Sequence, residues 1–538
     1  MFQGLLAIVL HAHLPFVRHP EHPAFLEEDW LFEAITECYL PLIAVLIRLA
    51  EEEVPCRLTI SISPTLAEML DDVLLQTRYR RYLKSRMELA DQEVERTRHD
   101  LALQPLAVMY RQLFATAGKV FESYGNNLLS AFRQLQDAGL IEIITCPATH
   151  PFLPFVSSKE ARRVQLVIAR ETSEHHFGKP PRGLWLAECG YEPDLEPVIR
   201  GSGFSWLVLD AHGLLFGNPR PTSGIFAPAK TPEGLTVFGR DLESSRQVWS
   251  SQDGYPGDAD YREFYRDLGY DGRYESVRPY LHADGVRRNL GIKYHRVTGP
   301  GDLGQRALYH REKALFKAEE HAKHFVQSRL KQIVSLRRTL GQSPVVVSPY
   351  DAELFGHWWF EGPHFLDQVI RQSAHGQSEF RLATLSDALG EYPDAACLQP
   401  AASSWGEQGY QQVWLNDRTR WLYRHQHQAE RSMVSLANGF PEAEGTLRRA
   451  LNQAARELLL AQSSDWPFLI SQQTAVPYAM RRFRGHIRVF QQLSRQISSQ
   501  SIDEGWLQTI ESQDSIFPRL DYRVFSGREE KQENLPRR

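Results

Sequence analysis

The sequence predicts an α/β barrel, and three observations support this fold class. Short apolar runs recur along the chain, helical stretches lie between them, and polar side chains follow the end of most runs. Most runs are too uniformly apolar for a half-exposed antiparallel sheet, so we expect strands that are buried on both faces. Alternating strands and helices with polar groups at the carboxyl ends of the strands are typical of a barrel, whereas an open doubly wound sheet concentrates such groups at one crevice.

The apolar runs give seven candidate strands. In chain order they are Leu5–Leu10, Arg57–Ser61, Ile141–Thr145, Leu184–Ala187, Trp206–Leu209, Leu235–Phe238 and Val345–Ser348. Between them, helical spacing is strong over Glu33–Glu52 and Ser158–Thr172. A chain of 538 residues is long enough for such a barrel and one or two further domains.

Three segments interrupt this alternation and suggest the domain organisation. Asp71–Thr116 is charged and mostly helical, which predicts an inserted helical pair, and Trp249–Lys293 is rich in Gly, Tyr and Asp, which predicts an excursion facing the substrate. Beyond residue 400 the pattern changes to successive helices over Asp417–Ala437, Pro441–Ser463 and Pro477–Ser499. We therefore predict a catalytic domain over residues 1–400 with a helical insertion at about 71–116, a helical domain over 401–525 and a flexible tail over 526–538.

Bulk composition excludes several classes of partner. The net charge is −5, from 61 basic and 66 acidic residues, so nucleic acid is not an expected partner. Five cysteines without a Cys-x-x-Cys pair argue against a disulfide scaffold or a zinc knuckle and for a reducing cytoplasm. The amino-terminal run lacks a basic region and a cleavage site, so we interpret it as the first core strand. No apolar run approaches the roughly 18–20 residues that span a bilayer, so we expect no membrane partner.

Two carboxylates follow apolar strands, and they are the candidate catalytic pair. Glu188 lies beside Trp185 and Tyr191, and Asp351 precedes Glu353 and a Gly-His-Trp-Trp stretch. A strand holds such an acid rigidly, aromatic neighbours exclude water, and two facing acids are what glycosidic bond cleavage needs. In this interpretation Glu188 is a nucleophile and Asp351 a general acid with a raised pKa. The structural alternatives are an acid paired with an arginine and an Asp that caps a helix.

His11 and His13 point to the same side of the first strand, because residues two apart face the same way. They could bind substrate hydroxyls, as could His150 after the third strand. A His-x-His pair at the end of a first barrel strand is also a known way to hold a metal. The alternative is therefore a metal-dependent hydrolase that uses these three histidines with Asp351.

Further residues near the strand ends have side chains suited to binding a sugar. An arginine could hold a catalytic carboxylate ionised, and tryptophans could stack on sugar rings, although an ion pair and core packing are the structural alternatives. The predicted substrate-binding residues are His11, His13, His150, Trp185, Arg240, Trp249, Glu353, His357, Trp405 and Trp414.

Taken together, five motifs resemble glycoside hydrolase family 57, and most closely its 1,4-α-glucan branching enzymes. They occur in the family's order and span nearly the whole chain: His11-Ala-His-Leu-Pro15, Cys146-Pro-Ala-Thr-His150, Trp185-Leu-Ala-Glu-Cys-Gly-Tyr191, Tyr350-Asp-Ala-Glu-Leu-Phe-Gly-His-Trp-Trp359, and Ser404-Trp-Gly-Glu407 with Trp414. The resemblance implies a (β/α)7 barrel with an inserted helical subdomain and a C-terminal helical domain. It also implies Glu188 as nucleophile, Asp351 as general acid/base, an α-glucan substrate, and no metal or other cofactor.

A retaining mechanism follows from this assignment, with the two carboxyls about 5–5.5 Å apart. A branching enzyme transfers the cleaved chain to a 6-hydroxyl, and a hydrolase transfers it to water. We expect a cytoplasmic protein that is a monomer. The remaining alternative is a glucan-binding protein without activity, which would be indifferent to Glu188→Gln.

One segment differs from the corresponding segment of the branching enzymes. The resemblance implies that those enzymes have a long mobile loop after the nucleophile strand, and that this loop carries a Tyr. The corresponding stretch here, Asp210 to Phe226, is short and contains no Tyr. A poorly closed site admits water, so we predict that transfer is weak relative to hydrolysis. Tyr255 is a possible substitute for the missing Tyr. An α-1,4-glucan hydrolase on the same scaffold is therefore the alternative function.

Overall fold

A computed structural model describes residues 3–250, 254–299, 301–374 and 379–527. All seven predicted strands are present, together with two short ones. The strands are β1 Gly4–Ala12, β2 Leu58–Ile62, β3 Ile141–Ile144, β4 Gly183–Leu184, β5 Trp206–Leu209, β6 Ala229–Lys230, β7 Thr236–Gly239, β8 Val345–Asp351 and β9 Phe380–Leu382. Every residue of β1, β2, β5 and β7 is buried, which agrees with their uniformly apolar sequences.

The strands form two sheets whose members are parallel except for β6. One sheet has the order β3-β2-β1-β8, with β9 also pairing β1, and the other has the order β4-β5-β7-β6. Parallel bridges join Thr145 to Leu184 and Arg240 to Val347, so each edge of the first sheet meets the second sheet. The two sheets therefore adjoin each other at both edges of the first one.

The α-helices connect and cover these strands. The described residues include α1 Glu28–Ala34, α2 Leu40–Glu51, α3 Pro64–Asp71, α4 Val73–Arg96, α5 Gln104–Ser123, α6 Leu128–Asp137, α7 Lys159–Phe177, α8 Glu196–Gly201, α9 Ala211–Leu215, α10 Leu242–Trp249, α11 Leu268–Asp271, α12 Tyr274–Val277, α13 Arg311–Leu340, α14 Gly362–Ala374, α15 Leu385–Leu389, α16 Arg420–Gly439, α17 Gly445–Ala461, α18 Asp465–Ser471, α19 Val476–Ser498 and α20 Glu504–Gln513.

The helix predicted over Glu33–Glu52 is longer and less regular than expected. Helices α1 and α2 are joined by a π-helical segment, Ile35–Tyr39, all of whose residues are buried. The run Glu28–Glu51 is long and apolar enough to cross a membrane, but 72% of its most apolar window is buried inside the fold. The expectation that no apolar run is long enough to span a bilayer is therefore wrong by length and composition, although most of this helix packs in the core.

The predicted helical insertion is present as the packed pair α4 and α5. By contrast, the described part of Trp249–Lys293 is mostly irregular, with the end of α10 and several short helical turns. Residues 251–253 of this segment lie outside the described residues. The long helix α13 was not predicted. Most of the predicted tail, residues 528–538, also lies outside the described residues.

Helices α16 to α20 follow the last strand, and α16, α17 and α19 pack on one another. The turn between α17 and α18 folds back onto the strand ends. There the Ser464 N–H donates to the His150 carbonyl over 2.9 Å, and Ser463 bridges Pro151. The helical part of the chain thus contributes directly to the region where the parallel strands end.

Candidate active site

The two predicted catalytic carboxyls lie at the carboxyl ends of parallel strands. Asp351 is the last residue of β8, and its Cα lies opposite that of His11 in β1. Glu188 lies in a 3-10 turn, Ala187–Cys189, a few residues after β4 ends. Both side chains are partly buried. Asp351 is held at the end of a strand, as expected. Glu188 is held instead by a turn that follows its strand.

Trp405 holds Glu188 in place through two hydrogen bonds. Its backbone N–H donates to the Glu188 carbonyl over 2.9 Å, and its indole Nε1 donates to the Glu188 carboxylate Oε2 over 2.6 Å. Glu188 has a φ of 60°, a left-handed conformation that is unusual for a residue with a side chain. Such a conformation costs about 1–3 kcal/mol and persists where the surroundings enforce it, frequently at functional sites.

Burial raises the pKa of both carboxyls above their ordinary values. The pKa of Glu188 rises to about 8, because burial outweighs the hydrogen bonds from Trp405 and Ser464, and the charges of Asp351 and Asp465 raise it further. The pKa of Asp351 rises to about 6, since burial outweighs the stabilising charges of Arg240 and His13.

The two pKa values mean that the pair holds one proton between about pH 6 and pH 8. One charged and one protonated carboxyl is the state that a retaining glycosidase needs before bond cleavage. Without substrate the higher value lies at Glu188, opposite to the order expected for a nucleophile and a general acid. The charge of Asp351 contributes to the raised pKa of Glu188, and positive charge that develops on a bound substrate would act in the opposite direction and favour the ionised form of Glu188.

The three predicted histidines form one stacked cluster beside the acids. The rings of His13 and His150 stack with centroids 3.8 Å apart, and the rings of His11 and His150 with centroids 5.1 Å apart. His11 Nε2 and His150 Nε2 are 3.0 Å apart in a hydrogen bond, and His11 Nδ1 lies 3.1 Å from Ser61 Oγ. Burial, followed by the neighbouring imidazoles, lowers the pKa of His11, so this imidazole is neutral at pH 7.

Ser464 and Asp465 contact this histidine cluster, and neither was predicted from the sequence. His150 Nδ1 pairs with Ser464 Oγ over 3.0 Å, and His13 Nε2 pairs with Asp465 Oδ2 over 3.1 Å. Burial alone would raise the pKa of Asp465. The charge of His13 and its hydrogen bond are the largest effects that oppose burial, and the pKa of Asp465 lies below its usual range. The only local signal is a Ser-Ser-Asp stretch between two helices, and no sequence pattern shows that this turn reaches strand ends hundreds of residues earlier.

His13, His150 and Asp465 each offer a ligand atom, and these atoms lie within 4.8 Å of one another. The metal-dependent alternative proposed the three histidines with Asp351. The group found here contains Asp465 instead of Asp351, and it does not include His11. His13 Nε2 already pairs with Asp465, and His150 Nε2 already pairs with His11. The group therefore has donor types that suit a divalent cation, while each of these imidazole nitrogens already has a hydrogen-bond partner in the protein.

Arg240 lies close to Asp351 and to Trp405. Its guanidinium pairs with Asp210 Oδ2 over 3.2 Å and lies 5.5 Å from the centre of the Trp405 ring. Its charge lowers the pKa of Asp351 against the effect of burial. Arg240 therefore acts on Asp351 while Asp210 holds its guanidinium.

The π-helical segment holds the turn that follows Asp351. The Tyr39 hydroxyl donates to Glu353 Oε1, which also accepts from the His13 backbone N–H over 3.3 Å. His357 Nδ1 pairs with Glu37 Oε2 over 3.0 Å. The pKa of Glu353 rises to about 8, mainly through burial and secondarily through the charge of Asp351. Glu353 and His357, which were both predicted to bind substrate, therefore each have a protein partner that holds the side chain in place.

The structure corrects the prediction for two of the four tryptophans. Trp185 is fully buried and packs under His11 and Trp405, and Trp414 is 1% exposed and stacks on Phe152. Neither indole is exposed to a ligand, so they support the site from beneath. Trp249 lies at the end of α10 and is 51% exposed.

Tyr255 does not replace the missing loop tyrosine. Its ring is buried and stacks on His321, and its hydroxyl lies 2.8 Å from His324 Nδ1 of α13. A phenol anchored to a long helix is not free to close over the acids, because closing would break this packing. The Asp210–Phe226 stretch contains the short helix α9.

These features define the class of protein. Residues 7–399 match the family model "Glycosyl hydrolase family 57", and residues 425–525 match the model "1,4-alpha-glucan branching enzyme, C-terminal". The chain belongs to glycosyl hydrolase family 57, with the mixed α/β architecture, the parallel strands and the many helices of its structural relatives.

Similar proteins carry two different descriptions. The alpha-amylase AmyC from Thermotoga maritima is 42% identical, with a TM-score of 0.91 over 98% of this chain and 99% of that chain. The branching enzyme from Pyrococcus horikoshii is 32% identical, with a TM-score of 0.88 over 98% of this chain and 97% of that chain. A 1,4-alpha-glucan branching enzyme from Thermococcus kodakarensis is 31% identical over 96% of this chain and 77% of that protein.

Proposed function

We propose that this chain is a retaining 1,4-α-glucan branching enzyme, which cleaves α-1,4 bonds and transfers the cleaved chain to a 6-hydroxyl. The observation that carries the proposal is the placement of two carboxyls, Asp351 at the end of β8 and Glu188 in the turn after β4, with the Trp405 indole donating to Glu188 and the charge of Arg240 acting on Asp351. The matched family models and the branching enzymes among its relatives support the choice of substrate and reaction.

The reaction proceeds by two displacements at the anomeric carbon. Asp351 gives its proton to the glycosidic oxygen while Glu188 attacks the anomeric carbon, so the α-1,4 bond breaks and a β-linked glycosyl-enzyme forms. Asp351 then removes the proton from the 6-hydroxyl of an acceptor chain, and that oxygen displaces Glu188. The second inversion restores the α configuration, and the site returns to its starting charge.

The surroundings of Glu188 suit the nucleophile role once substrate is bound. Positive charge develops on the sugar ring in the oxocarbenium-like transition state, and it favours the ionised form of the nearby carboxylate. The Trp405 indole and Ser464 already donate to that carboxylate. The proton of the pair then belongs to Asp351, where it is needed for the leaving oxygen.

Hydrolysis is the second candidate, and two observations favour it. The Asp210–Phe226 stretch is short, and Tyr255 is held against α13, so the site has no tyrosine lid among these described residues. AmyC, a relative of nearly equal length, is described as an alpha-amylase. Water would then take the place of the 6-hydroxyl in the second step.

The proposal extends to the architecture and the setting of the enzyme. The ring of parallel strands supports a (β/α)7 barrel within residues 1–400, and α16 to α20 support a helical domain over 401–525. We further propose a cytoplasmic monomer in glycogen or starch metabolism that needs no metal and binds α-glucan rather than nucleic acid or membrane.

The test is to incubate the protein with amylose and to measure two products, namely α-1,6 linkages after debranching and new reducing ends. A branching enzyme gives many linkages and few reducing ends, whereas a hydrolase gives the reverse. Activity that is lost with a chelator and restored by zinc would support the metal-dependent alternative. Binding of amylose without either product would support the inactive glucan-binding alternative.

A further inference from the structure

A cleft of about 310 Å³ lies on the side of Trp405 next to helix α9. One wall is α9 with the residue that follows it, and the other is the turn from Ser404 to Tyr410. The volume is at the lower end of the range of small-ligand pockets, about 300–1,000 Å³. The side chains that matter below are Asp210, His212, Phe216, Trp405, Gln408 and Tyr410.

Two aromatic rings on the walls of this cleft are exposed to solvent. Phe216 is 59% exposed and Tyr410 is 52% exposed, although residues of both types usually bury much of their surface. They come from stretches almost two hundred residues apart in the chain, yet they line one cleft. Flat apolar rings beside the polar groups of Asp210 and Gln408 suit a ligand that has both flat apolar faces and hydroxyl groups.

Hydrogen bonds hold the two walls together. His212 Nδ1 pairs with Asp210 Oδ1 over 3.1 Å, and His212 Nε2 pairs with the Gly409 carbonyl over 2.7 Å. Gly409 has a φ of 81°, and an added Cβ would lie 2.7 Å from the His212 ring. The spacing of the walls is therefore set before any ligand binds, which lowers the entropic cost of binding.

Two side chains that line the cleft also contact the residues around the two acids. Trp405 lines it and also donates its indole N–H to Glu188 over 2.6 Å. Asp210 lines it and also pairs with Arg240, whose charge acts on Asp351. The cleft is therefore a near neighbour of the two acids, reached from Glu188 through Trp405 and from Asp351 through Arg240 and Asp210.

We propose that this cleft is a glucan subsite, in which Phe216 and Tyr410 hold a glucosyl unit of the chain outside the cleaved bond. The inference rests on the proposed function for the identity of the ligand. The short loop thus has an aromatic residue of its own at the site, Phe216, even though it lacks a tyrosine. The subsite contributes to the binding of long chains whether the acceptor is a 6-hydroxyl or water.

The test compares Phe216→Ala, Tyr410→Ala and the double variant with the wild type on amylose. One lost aromatic contact of about 0.5–1.5 kcal/mol corresponds to roughly a two- to ten-fold rise in KM, with a smaller change in kcat. Leu215→Ala is the matched control, since Leu215 is also exposed on α9 but does not line the cleft. Its KM should equal that of the wild type.

A double variant whose KM stays within about twofold of the wild type would overturn the subsite. Because both rings are largely exposed, the variants should keep the wild-type melting temperature, which is measured alongside. If the wild type forms neither product from amylose, the proposed function fails, and binding of maltoheptaose by calorimetry tests the subsite separately. Weaker binding by the double variant than by Leu215→Ala would then support it, and equal binding would contradict it.

Discussion

Glu188 has a raised pKa because it is buried beside a second acid, and the Trp405 indole, which donates to its carboxylate, limits that rise. Burial and the charge of Asp351 favour the protonated form, whereas the indole N–H and Ser464 favour the carboxylate. Arg240 and His13 do the same for Asp351, whose pKa rises only to about 6. The protonation state of the pair is thus set by a few named contacts that single variants can change.

The rate should therefore depend on pH in a bell shape, with limbs near pH 6 and pH 8. Below the lower limb both carboxyls are protonated and no nucleophile is available, and above the upper limb both are ionised and no acid is available. Trp405→Phe removes the donor to Glu188, so the pKa of Glu188 should rise and the upper limb should move to higher pH. A pH profile of kcat/KM measures this, and an unchanged or lowered upper limb in Trp405→Phe would contradict it.

At the scale of elements, the strands were predictable and the turns that complete the site were not. Buried parallel strands are uniformly apolar over several residues, and Val345–Ser348 and Trp206–Leu209 show this in the sequence. The π-helical segment cannot be distinguished from an ordinary helix by apolar spacing, yet it places Tyr39 against Glu353. The burial of Trp185 likewise depends on tertiary packing, which spacing does not reveal.

The turn between α17 and α18 is the element whose contribution was least predictable. Ser464 lies in this turn, pairs with His150 and lowers the pKa of Glu188. Hydrogen bonds to charged groups contribute about 1.5–3 kcal/mol, so Ser464→Ala should lower kcat/KM for amylose roughly ten-fold or more. Ser499→Ala, at the exposed end of α19, is the control and should leave the rate unchanged. Equal rates in both variants would show that the turn does not act on the nucleophile.

At the scale of the whole molecule, the amino-terminal part of the chain is bonded to the late helices. His19 Nε2 lies 2.9 Å from the Tyr478 hydroxyl of α19, and the Arg482 guanidinium contributes to lowering the pKa of His19. Burial is the main cause of this shift, which brings the pKa to about 2. The helices after residue 420 are therefore joined to the amino-terminal part of the chain by polar contacts as well as by apolar packing.

His19 should make the folded protein less stable in acid. Its pKa is lower in the folded than in the unfolded state, so its contribution is fully present above about pH 6.5 and is lost as pH falls towards 2. The loss amounts to about 1.4 kcal/mol per pH unit in this range. Denaturant unfolding at several pH values should therefore show a shallower decline below pH 6.5 for His19→Gln than for the wild type. Parallel curves would contradict a buried neutral His19.

The central claim is that Glu188 is the nucleophile and Asp351 the acid/base of a retaining reaction, and azide rescue tests it most directly. Glu188→Gly and Asp351→Gly are each supplied with azide and an aryl α-maltooligoside, whose leaving group needs no acid. Azide attacks the Glu188→Gly complex once, so the predicted product is the β-glycosyl azide. In Asp351→Gly it attacks the glycosyl-enzyme, so the predicted product is the α-glycosyl azide. Proton NMR distinguishes the anomers, and exchanged anomers, or rescue of neither variant, would contradict the assignment.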